Sequence, residues 1–185
     1  MNAEKQKTNG KKIAVRSAKE CTYIAVFVAL VIAAQLAFAT VPGVEVVTVL
    51  FVSFSFALGI ARGCLAATAF STLRQVVFGA DLKILALYLV YYNFLSAVFG
   101  LLGKAVKKPH RKLFWIVLIA CVCTVIFTLL DNVLTPLWYG YNEKGARLYF
   151  QYSLPVLIPQ TVCTAITVAL LFLPLWKIFS LCVKK

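Results

Sequence analysis

The sequence predicts an all-α membrane protein: a single bundle of six transmembrane helices with both termini in the cytoplasm. Three observations carry that expectation. Hydrophobic residues make up 62% of the 185 positions and charged residues 14%, with a mean hydropathy of +0.91; a soluble globule of this composition would have to expose most of its apolar surface to water. The apolar residues fall into runs close to the roughly 20 residues that a bilayer crossing needs. The cations then sort by loop, with fifteen on one predicted side, three on the other and Arg74 inside a span, the bias that marks the cytoplasmic face.

The first span follows a basic arm, Lys5, Lys7, Lys11, Lys12, Arg16 and Lys19, and no charged residue occurs from Cys21 to Val44. Inside it Ala25, Ala29, Ala33 and Ala37 recur every fourth residue. On a helix they form one row of methyl groups that lets another helix come close. Pro42 and Gly43 turn the chain. The second span, Val46 to Ala61, is short, with Glu45 at its outer end and a tight turn expected from Gly59 to Gly63 around Arg62. The third, Gly63 to about Ala80, carries Thr68, Ser71, Arg74, Gln75 and Phe78 at steps near the helical period, a polar strip that has to face protein or a cavity.

A fourth span runs from Ile84 to Gly103, with Tyr88, Tyr91, Tyr92 and Asn93 in its outer half and the smaller Ser96, Ala97, Gly100 and Gly103 in its inner half. The loop Lys104 to Lys112 holds five cations and reads as cytoplasmic. The fifth span is expected from Leu113 to about Thr135, where Pro136 stops it, with Thr124, Thr128, Asp131, Asn132 and Thr135 along one face. Leu137 to Tyr152 is then the longest outer loop. A sixth span opens with Pro155 and Pro159, carries Gln160, Thr164 and Thr167 on one side, and ends near Trp176.

The organisation is therefore a basic arm (1–17), one transmembrane domain (18–180) and a short tail (181–185). A net charge of +13 is accounted for by span orientation and anionic lipid headgroups, with no nucleic-acid partner expected. Six cysteines lie in or beside spans without CxxC spacing, so neither a disulfide framework nor a zinc site is indicated. His110, the single histidine, sits in a basic loop, and no paired-carboxylate, Ser/His/Asp, HExxH, GxGxxG or phosphate-loop signature occurs. No cofactor and no catalytic role are expected.

What remains is polar chemistry at membrane depth, costing about 2.5 to 3.5 kcal/mol for a central Arg or Asp unless it finds a partner or a ligand. Two arrangements account for it. Arg74 and Asp131 lie at similar depth and can form an ion pair between the third and fifth spans. Alternatively Arg74, Gln75, Asn93, Asp131, Asn132 and Gln160 converge with the tyrosines on a cavity open to the outside. An arginine there favours a substrate with an anionic group, because its planar fork matches carboxylate or phosphate.

These residues resemble the substrate-binding S-components of energy-coupling-factor (ECF) transporters, small bacterial cell-membrane proteins that capture vitamins and related micronutrients. The resemblance rests on the length, the six spans, the ladder Ala25, Ala29, Ala33, Ala37 and the passage Val41 to Thr48, and extends over nearly the whole chain. It implies that the ladder docks on a transmembrane coupling protein driven by two cytoplasmic ATPases. It further implies a water-soluble, vitamin-like substrate held by the Pro42 to Glu45 loop, Tyr92, Asn93, Asp131, Asn132 and Gln160, and release by toppling of the whole protein in the membrane. A self-sufficient small-solute carrier and a lipid-acting membrane enzyme are the rival readings; the chain carries no internal repeat of the kind carriers show.

Overall fold

The computed structural model describes residues 18–40, 46–106 and 108–183, and these are all-helical apart from their connections. Six α-helices follow in order: α1 (Ala18–Ala37), α2 (Val47–Leu58), α3 (Ile60–Phe78), α4 (Leu82–Ala105), α5 (Leu113–Tyr139) and α6 (Glu143–Val183), with a 3-10 turn, Pro109–Lys112, leading into α5. Glu45 and the basic arm 1–17 lie outside the described residues.

Four helices, α1, α4, α5 and α6, are long and apolar enough to cross a membrane, as in a multi-pass membrane protein. The other two depart from the six expected spans. With 12 residues, α2 reaches only about 18 Å, short of a hydrocarbon core of about 30 Å. Ten of those residues are buried, so α2 is the apolar centre around which the other helices stand, the environment that a helix hydrophobic all round requires. The 19 residues of α3 are long enough, but Arg62, Thr68, Ser71, Thr72, Arg74 and Gln75 make the helix too polar to read as a simple span.

Side-chain contacts set the relative directions of α1 and α3, which run parallel, and join α5 to α6, while the end of α4 lies against the end of α2 and the start of α3. Glu20 and Arg62 pair at the starts of α1 and α3, Gln35 and Arg74 meet near their ends, and Thr124 of α5 touches Thr164 of α6. One end of the bundle therefore gathers the cationic turn Pro109–Lys112, Arg62, Lys104 and Lys177, and the opposite end the α1–α2, α3–α4 and α5–α6 connections.

The core is a ring cluster. Phe27 stacks on Phe54 at 3.8 Å and meets Phe51 edge-on, and Phe51 continues to Phe70 and Tyr92. At the cationic end the small residues of α4 let backbones approach. A β-carbon on Gly103 would lie 2.1 Å from the Phe56 carbonyl oxygen, and one on Gly100 2.6 Å from the Ile60 nitrogen.

Three connections differ from expectation. The α2–α3 turn is made by Gly59 alone, at φ +86, a conformation that glycine adopts without a steric penalty, so Arg62 and Gly63 belong to α3. Pro136 does not stop α5, which runs one turn further to Gly140 at φ +63. The expected outer loop Leu137 to Tyr152 is mostly helix, because α6 begins at Glu143 and runs for 41 residues through Pro155, Pro159 and Pro174. Asn142 starts it by accepting the Gly145 N–H at 2.8 Å, an N-terminal cap.

Candidate functional site

A cavity of about 150 Å³ opens at the end opposite the cationic turn, between the end of α1, the start of α2, the first half of α4 and the middle of α5. From α1 come Ala34, Gln35 and Phe38, from the start of α2 Val46 and Val47, from α4 Tyr88 and Tyr92, and from α5 Phe127. Its aromatic walls continue the core cluster: Tyr92 packs edge-on against Phe70 and Tyr88, and Tyr88 meets Phe127 at 5.9 Å.

Gln35 is the polar centre of this wall. Its Nε2 donates to the Tyr88 hydroxyl at 3.3 Å, and its Oε1 accepts from Arg74 Nε at 3.2 Å. Arg74 itself stands behind the wall, its guanidinium held between the Phe78 and Tyr88 rings at 4.8 and 4.6 Å, where ring quadrupoles attract a cation. The expected Arg74–Asp131 ion pair does not form. Depth along a span was the same for both residues, but their helical faces point to different neighbours.

Asp131 pairs instead with Lys83 at the start of α4, 3.1 Å away. It also accepts from Thr135 at 2.8 Å and from the Tyr149 hydroxyl at 2.6 Å. The rest of the polar face of α5 zips onto α6. Thr124 meets Thr164 at 3.1 Å, Thr128 donates to Gln160 at 3.4 Å, and Asn132 Nδ2 donates to Ser153 at 2.8 Å. This seam gives three threonine hydroxyls and the Asn132 amide nitrogen partners that lipid could not.

The six polar residues and the tyrosine Tyr92 expected to converge on one cavity therefore divide. Tyr92 lines the cavity and Arg74 supports it. Asp131, Asn132 and Gln160 belong to the junction of α4, α5 and α6, with Asn132 also edging an open groove beside Arg147 and Phe150. Gln75 holds the α3–α4 turn by accepting the Asp81 N–H at 3.0 Å, while Asp81 caps α4. Asn93 bonds Thr68 at 3.3 Å across the α3–α4 contact.

Sequence reasoning did not single out Gln35. Its signal was present, since an amide in an otherwise apolar span demands a partner, but the alanine row drew the reading of α1 to the other face. That row is exposed at all four positions, Ala25, Ala29, Ala33 and Ala37, while Ile24, Phe27, Val28 and Val31 fill the core.

Comparison with protein-family models, with characterised proteins and with solved structures finds no match.

Proposed function

We propose that this chain is the substrate-capture subunit of an ECF-type importer in the bacterial cell membrane, binding a small water-soluble, vitamin-like molecule in the cavity at Gln35, Tyr88 and Tyr92. The observation that carries the reading is the division of α1 into two working faces: its end walls the cavity, and its outer side presents an uninterrupted row of four exposed alanines. A helix of this kind links cargo to partner without a hinge. Small residues let a second helix pack at close range in lipid, where apolar burial gives no driving force between helices. The partners are a transmembrane coupling protein and two cytoplasmic ATPases, which supply the energy, and the loaded subunit moves as a body against the coupling protein to release its cargo.

Uptake into vesicles tests the proposal. Flux of the molecule that co-purifies with the protein should require the coupling protein and hydrolysable ATP. It should be abolished by Ala29→Trp, with binding to the solitary protein intact. Flux in vesicles lacking any ATPase would establish a self-sufficient carrier instead.

A further inference from the structure

Arg74 fixes which way the Gln35 amide faces. An arginine side chain only donates, so the atom 3.2 Å from its Nε has to be the Gln35 oxygen, and the amide nitrogen is turned the other way, where one hydrogen reaches Tyr88. Among the described residues nothing accepts the second hydrogen, and Gln35 lines the cavity. The wall thus offers an oriented N–H donor among aromatic rings. The described lining holds no charged side chain, and the nearest guanidinium is engaged by Gln35 and two ring faces.

We infer that the cavity selects an uncharged planar ring carrying a hydrogen-bond acceptor, a carbonyl or ring nitrogen, which Gln35 engages through its amide N–H while Tyr88, Tyr92 and Phe127 pack on the ring. Arg74 is a positioning residue for Gln35 and does not contact the ligand. An anion in this cavity would lose its hydration with no cation in the described lining to replace it. A donor-only ring would leave the Gln35 hydrogen unpaired. The inference rests on the cavity being the capture site proposed above, and it replaces the anionic substrate expected from Arg74 in the sequence.

The test uses the full-length solitary protein in detergent and three probes of one ring size: N-methyl-2-pyridone, a neutral acceptor; aniline, a neutral donor; and benzoate, an anion. Binding is followed by ligand-observed NMR titration. The pyridone should bind at least tenfold more tightly than benzoate and several-fold more tightly than aniline. Gln35→Glu keeps the acceptor that Arg74 needs, and so the fold, but removes the donor, and it should weaken pyridone binding roughly tenfold. Arg74→Met frees the amide to turn over, so the preference for pyridone over aniline should collapse toward unity, a change that general loosening of the bundle would not produce. Benzoate binding best, an unchanged pyridone affinity in Gln35→Glu, or no binding of any probe overturns the inference. Because no coupling protein is present, these outcomes are independent of whether uptake needs an ATPase module.

Discussion

The Asp131 carboxylate lies 3.1 Å from the Lys83 ammonium, at the junction of α4, α5 and α6. Three helices meet on this carboxylate, since Thr135 and Tyr149 also donate to it. Lys83 is the first-turn residue of α4 that places the pair, and Asp81 beside it caps the same helix.

Removing one partner of this pair should cost more than removing both. Asp131→Ala strands a lysine whose side chain is only 12% exposed and is expected to destabilise the protein by about 2 kcal/mol, below the roughly 3 to 5 of a fully buried pair, because the carboxylate keeps some contact with solvent. Lys83→Met with Asp131→Leu should recover most of that loss. Thermal unfolding in detergent reads the cycle. Coupling between positions 74 and 131 should be near zero, within about 0.5 kcal/mol; strong coupling there would restore the ion pair that depth alone suggested.

Gly103→Ala should be among the most damaging single-methyl additions. Its β-carbon would fall 2.1 Å from the backbone oxygen of Phe56, and a backbone carbonyl cannot rotate aside as a side chain can. A loss of about 2 to 3 kcal/mol is expected. Gly145→Ala, whose nearest neighbour is the Asn142 side-chain oxygen at 3.2 Å, serves as the mild control in the same thermal assay.

The α5–α6 seam should prove individually weak. Thr124 and Thr164 also bond the carbonyls of Ala120 and Gln160 in their own helices, so Thr124→Val leaves no donor stranded. About 0.6 kcal/mol is expected, the usual size of such contacts in membranes. A loss above about 2 kcal/mol would mean that the hydroxyl does more than join the two helices.

Under the proposed capture role, Ala29→Trp should separate coupling from capture. The position is exposed in the solitary protein, so its unfolding temperature and probe binding should match wild type, while pull-down of the coupling protein should be lost. Equal loss of all three would make the alanine row part of the fold itself.

The sequence made the long helices legible because length and apolarity suffice to specify them. The bounds of α1, α4 and the start of α5 fall within a few residues of the expected ones. It misled where context overrides a local rule. Pro155, Pro159 and Pro174 sit inside α6, since a membrane helix can re-satisfy the backbone groups that proline frees, and the tyrosine-rich stretch read as a loop is divided between the end of α5 and the first turns of α6. The short, buried α2 looked like a span because apolar runs do not say whether lipid or protein surrounds them. For the candidate site, Tyr92 was legible as an aromatic on the outer half of α4, and Asp131 and Arg74 as groups needing partners. Which partner each takes depends on the rotation of each helix about its axis, which one sequence does not provide. Gln35 was accessible to the same rule that found Arg74.

Mass spectrometry of small molecules released on denaturing the purified solitary protein tests the capture role most directly. One neutral, ring-containing molecule at close to one per chain is expected from wild type, and a strongly reduced amount from Gln35→Glu at equal folded yield. Wild-type protein that releases no small molecule, and takes none up after incubation with cell extract, would contradict it.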